Sequence, residues 1–181
     1  GISAKLESYH AHSNQNKEDK ILTNIESGIT YALVSDAGTP TISDPGVKLI
    51  HEAYKKFGDQ LNVISIPGAT ALIAALSSSG FMGNQFTFYG FLPHKKGRNK
   101  IFTEIFESDR ISLFYESPHR IIKTLEFIKE NYSESQRTLC VARELTKMYE
   151  EKIIGDIDYV YTYFMNHPDK VRGEFVIIID K

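Results

Sequence analysis

The chain has 181 residues, of which 41% are hydrophobic and 24% charged, with a net charge of −2 and one cysteine. That balance describes a globular chain long enough to bury a substantial core; it argues against a wholesale nucleic-acid coat, and one cysteine permits no internal disulfide. The single cysteine, set in an apolar run, fits a reducing cytoplasm, where the chain is expected; no apolar run reaches the length of a membrane span and no signal peptide is visible.

Hydrophobic periodicity predicts a helix over about 17–27 and a strand over 31–35. A loop of Asp, Gly, Pro, Thr and Ser then runs from Ser35 to Gly46 and leads into a helix over 47–57. A strand over 61–66, the loop Ile66-Pro67-Gly68-Ala69-Thr70 and a helix over 70–79 follow, with Thr70 as its N-cap. Gly28, Gly58 and Gly80 lie where these helices should stop. Residues 81–85 read as a linker. Beyond it come strand 86–91, helix 98–107, strand 111–115, helix 118–130, strands 138–145 and 149–155, helix 157–166 and strand 173–180. Ser117-Pro118 is the expected start of helix 118–130, with Ser as N-cap and Pro first inside. The apolar run 175–179 reads as a central buried strand, and Cys140, between Leu139 and Val141, reads as core. The pattern predicts two α/β domains. The first, over 1–82, has an incomplete parallel sheet, and the second, over 83–181, has a mixed sheet.

The Ser35–Gly46 loop is far longer than a connection needs and leaves a strand at its carboxyl end, where α/β proteins bind ligands. Asp36 either caps its own loop or offers a carboxylate to a ligand's hydroxyl or ammonium. Asp44-Pro45 reads as a structural turn before the next helix. With the Pro67–Leu72 loop, two ligand-type loops outline one pocket. No Gly-Lys-Ser/Thr makes either a phosphate loop, and no Gly-x-Gly-x-x-Gly occurs.

His94–Lys100 is the dense basic cluster, and it sits beside Tyr89, Phe91 and Pro93. It is either a solvated loop or a groove for single-stranded RNA. Glu116, His119 and Arg120 cluster where a strand becomes a helix, with cations opposing the helix dipole. Arg143, Glu144 and Lys147 follow a buried-looking strand and form either a salt-bridge set or part of a cleft. Glu150-Glu151 reads as a solvated pair. His10 and His12 lack further partners, so no metal is expected.

Ser35–Pro40 with Ser43–Gly46, then Pro67–Leu72, resemble the tetrapyrrole methylase superfamily of S-adenosyl-L-methionine-dependent methyltransferases. Phe88–Pro93, Phe114–Arg120 and Ala142–Lys147 are similar to its branch of bacterial small-subunit ribosomal RNA 2′-O-ribose methyltransferases, which act on a cytidine. The resemblance covers Ser8 to Asp180. It implies S-adenosyl-L-methionine as cofactor, ribosomal RNA or the small ribosomal subunit as partner, and a homodimer. It further implies that Asp36, Gly38, Thr39, Thr41, Pro67, Thr70, Ala71, Tyr115, Leu145 and Gly173 line the donor pocket. Lys95, Lys96, Arg98, Arg120 and Arg143 would meet RNA, and Glu116, Glu144 and Lys147 are the candidate proton acceptors. The family's opening strand and acidic motif do not precede Gly1, so the chain is expected to begin inside the family's first domain. The alternatives are a tetrapyrrole C-methyltransferase on the same fold, or an inactive fragment that only binds donor or RNA.

Overall fold

The computed structural model describes residues 3–10 and 13–181. It divides into two compact units, Gly1–Ala69 and Thr70–Lys181. His12, half of the histidine pair noted above, lies outside the described residues.

In the first unit, helix α1 (Gln15–Glu26) starts where Asn14 accepts the Lys17 amide, and α2 (Val47–Phe57) starts after Gly46. Only glycine suits that last position, because φ is 121° and a Cβ would run into Leu33. The two helices are tied by Lys48 on the buried Glu18 at 2.6 Å and Lys56 on Glu26 at 2.7 Å. Glu18 also accepts the Tyr9 hydroxyl, so its buried charge is compensated.

The parallel sheet expected for this part of the chain is not found among the described residues. Segments 31–35 and 61–66 have no ladder hydrogen bonds, and Val34, Ile64 and Ile66 are exposed. β-branched composition favours extended backbone, but a strand needs a neighbour to supply its bonds.

The second unit carries one mixed sheet. It contains β1 (Phe86–Phe91), β2 (Ile111–Glu116), β3 (Leu139–Arg143), β4 (Glu151–Gly155) and β5 (Phe175–Ile179), in the order β1-β2-β5-β3-β4. Only β1 and β2 run parallel; the other pairs are antiparallel. Helices α4 (Arg98–Glu107), α5 (Ile121–Tyr132) and α6 (Ile157–Asn166) cover one face. There Phe102, Ile105, Leu125 and Phe164 pack on Phe114, Val141, Phe175 and Ile177. Helix α3 (Ala71–Ser77) covers the other face with Leu72 and Ala75 against Leu113, Cys140, Val176 and Ile178. The division at 82/83 read from the sequence places α3 with the first domain, whereas the compact units group it with this sheet. Strand β5 is buried on both faces, which explains its unbroken apolar run.

Two boundaries shift for local reasons. Helix α5 begins at Ile121 rather than 118, because Pro118–Arg120 form a turn whose carbonyl acceptor is Ser117. Strand β3 ends at Arg143 rather than 145, because Glu144 has φ of 49°, outside the β region, and β4 begins at Glu151 rather than 149.

Candidate functional site

The sheet register gathers the candidate residues of the second unit at one end. Phe91 lies opposite Tyr115, Glu116 opposite Phe175, and Arg143 opposite both Phe175 and Glu151. The segments after β1, β2 and β3, and the one before β5, therefore all meet this end. Ligands of open α/β sheets bind outside strand ends of this kind.

Glu116 closes β2 with a carboxylate fully out of solvent. Its Oε1 accepts the Ser117 amide at 2.9 Å and faces Arg120 Nε at 3.2 Å. Its Oε2 accepts the Thr124 hydroxyl at 2.7 Å and pairs with Arg98 at 3.3 Å. The two guanidiniums reach on: Arg98 donates to Pro93 O at 3.2 Å, and Arg120 donates to Leu92 O at 2.9 Å. Burial pulls the Arg98 guanidinium below its usual value, while Glu116 pulls it back up. With both oxygens engaged, Glu116 reaches no substrate in this geometry. Arg120, the cation at the entry to α5, is held from within by Glu116 and Leu92 O rather than directed at a partner. Thr124 carried no sequence signal, though its place four residues after Arg120 puts both on one helix face.

Arg143 is likewise internal. It holds Glu151 at 3.1 Å and donates to Lys170 O at 3.1 Å. Glu151 also accepts from Tyr163 and Lys170 at 2.5 Å each, and Lys170 lies over the Tyr163 ring. Burial raises the Glu151 carboxyl, but Lys170, Tyr163 and Arg143 outweigh it and hold it below its ordinary range. Glu150 accepts the Thr146 amide at 2.7 Å. Glu150, exposed as read from the sequence, also ties the β3–β4 turn, whereas Glu151 is half-buried and anchors α6.

Glu144 and Lys147 do come together. Glu144 Oε1 accepts Lys147 Nζ and the Glu174 amide, both at 3.0 Å. Lys147 reaches Glu174 Oε2 at 3.0 Å as well. Lys147, with the Glu174 amide, holds the Glu144 carboxyl below its usual range, and Glu144 with Glu174 pushes the Lys147 ammonium up. A lysine so raised stays protonated at neutral pH, the opposite of what a base requires. Gly173 packs directly here: φ is 88° and a Cβ would collide with the Glu144 carboxylate.

Of the donor-pocket candidates in this unit, Thr70 caps α3 by accepting the Ile73 amide at 3.4 Å, with Ala71 next in the helix. The Tyr115 hydroxyl takes the Leu72 amide at 3.3 Å, and its ring meets Phe88 and Phe91 edge-on. Leu145 packs against the α3-side core. In the first unit, the two ligand-type loops touch: the Thr39 hydroxyl donates to Ala69 O at 3.2 Å, and Gly68 approaches Thr39. Gly38, Thr41 and Ser43 have φ of 75°, 72° and 62°. For a β-branched threonine that is costly, and such strain clusters at ligand sites. Asp36 is exposed and accepts no hydrogen bond from the described residues, and Pro67 lies in the second loop. Neither Ser35–Gly46 nor Ile66–Ala71 contains a Lys or Arg. Loops without a cation, and with the carboxylates of Asp36 and Asp44, suit a zwitterionic ligand such as S-adenosyl-L-methionine better than a phosphate.

His94, Lys95, Lys96, Asn99 and Lys100 are exposed. Of the RNA-contact set Lys95, Lys96, Arg98, Arg120 and Arg143, only the two lysines present free charge at the surface. Among the described residues no group of three or more His, Cys, Asp and Glu could hold a metal. Among the described residues no helix is long and apolar enough to cross a membrane.

Curated relatives include the ribosomal RNA small subunit methyltransferase I of Xylella fastidiosa, 43% identical over 99% of this chain and 64% of the relative. That of Synechocystis is 40% identical over 95% of this chain and 60% of the relative. The chain therefore spans somewhat under two thirds of their length. Among solved structures, a cobalt precorrin-4 methyltransferase of cobalamin biosynthesis superposes with a TM-score of 0.63 at 13% identity, covering 94% of this chain and 72% of the other. A Thermus thermophilus uroporphyrin-III C-methyl transferase complexed with S-adenosyl homocysteine gives 0.58 at 13% identity, covering 92% and 73%. These two likenesses concern the fold alone. The profile of the tetrapyrrole (corrin/porphyrin) methylases matches residues 3–160, and the chain belongs to that family.

Proposed function

We propose that the protein is an S-adenosyl-L-methionine-dependent methyltransferase that methylates the 2′-hydroxyl of a cytidine ribose in small-subunit ribosomal RNA. The observation that carries this reading is identity of about 40% across nearly the whole chain to proteins bearing the small-subunit RNA methyltransferase name. The exposed Lys95 and Lys96 support it, since they stand at the same sheet end as Tyr115, Leu145 and Gly173. A porphyrinogen or precorrin substrate would not need a lysine-bearing loop to neutralise phosphates.

The donor, when bound, supplies an electrophilic sulfonium methyl. The residues of the chain then have mainly to align it with the ribose oxygen, which is worth ~7–11 kcal/mol in well-oriented systems. The capped start of α3, the Tyr115 hydroxyl on the Leu72 amide and the Leu145–Gly173 backbone suit that positioning role. Lys95 and Lys96 would hold the RNA backbone. Glu116 is sealed among its partners and Lys147 is held protonated, which argues against either as the proton acceptor. We place the protein in the cytoplasm as a homodimer, for which the uncovered Val34, Ile64 and Ile66 supply apolar surface.

The test is transfer of labelled methyl to unmodified small ribosomal subunits and, in parallel, to a porphyrinogen. Label recovered as 2′-O-methylcytidine is the expected outcome. Label in the tetrapyrrole alone would overturn the reading.

A further inference from the structure

Strand β3 ends at Arg143, paired with Phe175 of β5. One step beyond, the Glu144 amide donates to Glu174 O at 3.0 Å. A regular antiparallel pair would return that bond from the Glu174 amide to the Glu144 carbonyl. Here Glu144 sits at φ 49° and its carbonyl accepts the Lys147 amide instead, at 3.0 Å. The returning bond goes to the side chain, with the Glu174 amide on Glu144 Oε1 at 3.0 Å. The carboxylate fits because Gly173 has no Cβ in its way. Lys147 then bridges Glu144 and Glu174, each at 3.0 Å.

We infer that Glu144 is a positioning residue whose carboxylate replaces its own backbone carbonyl to close the β3–β5 ladder, fixing the Leu145 and Gly173 backbones against the methyl donor. The inference rests on the proposed function for the identity of that ligand, but the ladder closure does not. As a positioning residue Glu144 takes no proton from the substrate. Its oxygen is already committed to an amide and an ammonium, and its neighbour Leu145 is the residue turned into the core.

Glu144→Gln keeps an oxygen at Oε1 but removes the charge and the basicity; Glu144→Ala removes everything. Donor affinity, measured calorimetrically with S-adenosylhomocysteine, is expected to fall by about tenfold in Glu144→Ala, the scale of one or two lost hydrogen bonds. In Glu144→Gln it should fall by no more than about threefold, with kcat and its pH profile following the same small change. Hydrogen exchange should show the Glu174 amide deprotected in the alanine variant and still protected in the glutamine variant. Loss of about 10²-fold or more in kcat for Glu144→Gln at unchanged donor affinity would make Glu144 a general base and overturn the inference. A Glu174 amide that stays protected in Glu144→Ala would overturn it too, and that readout needs no ligand. A wild-type protein that binds no donor would instead sink the proposed function.

Discussion

Gly173 and Glu144 are complementary in shape: the carboxylate of one fills the space where the other would carry a Cβ. Gly173 also has φ of 88°, so a side chain there meets two separate penalties. Gly80 isolates one of them, because its φ is 76° and nothing lies within 4 Å of a Cβ built there. Gly80→Ala is expected to cost about 1–2 kcal/mol, the backbone term alone. Gly173→Ala should cost clearly more, and the excess should shrink when Glu144 is also alanine. Urea denaturation of the single and double variants measures this coupling.

The Glu116 cluster gives a second prediction. Removing the buried carboxylate leaves Arg98, Arg120 and the Thr124 hydroxyl without their shared acceptor. Glu116→Ala should lower stability by about 3–5 kcal/mol, the usual cost of orphaning half of a buried ion pair. Chemical denaturation measures it, and a loss under 1 kcal/mol would show that the network relaxes around water.

The basic loop separates into two classes of cation. Lys95 and Lys96 are exposed, so replacing both with alanine should leave the denaturation midpoint unchanged within about 0.5 kcal/mol. RNA binding should weaken and its salt slope should flatten by nearly one unit per lysine. Arg98→Ala should do the reverse, unfolding the protein more readily through its ties to Pro93, Glu116 and Thr124. Filter binding across a salt series, paired with thermal melts, distinguishes the two classes.

Acid should weaken the loops around β3. Glu144 and Glu151 are both held below the ordinary carboxylate range by their cationic partners. A depressed native pKa contributes stability that is complete above the unfolded value, roughly 4.3, and is lost as pH falls through the native one. Denaturation midpoints should therefore be flat with respect to these groups near neutrality and fall below about pH 4.3. Glu151→Gln should start lower and show a shallower acid decline.

Cys140 reports on the core. It is fully buried, and burial pushes its thiol up to about 11. It should resist thiol reagents in the native state and react at the rate of unfolding. Fast labelling without denaturant would show that β3 opens far more often than its position implies.

The second unit was largely legible from sequence because its elements are individually amphipathic or wholly apolar. Strand 86–91, helix 98–107 and helix 157–166 stand at the predicted limits. The extended segments 31–35 and 61–66 were readable as backbone preference but not as strands, since pairing is a property of two segments. Site chemistry was legible as residue type and place, not as role. Nothing in Glu116, Arg98 or Arg143 as letters distinguishes a charge facing substrate from a charge sealed by Thr124 or Lys170 O. Glu144 was visible as acidic, but its exchange with its own carbonyl depends on a left-handed backbone that glutamate rarely adopts.

The central place of β5 has a consequence for assembly. It follows every other strand in the sequence, yet it joins β2 to β3, with Phe114 and Val141 both opposite Ile177. Until it inserts, the sheet is two separate pairs, each showing an open edge where β5 belongs. The decisive step of folding is therefore long-range and slow, and the waiting species can recruit a strand from another molecule. Substitutions that weaken Phe175–Ile179 should accordingly appear first as poor yield and aggregation during synthesis, before any defect in the finished protein.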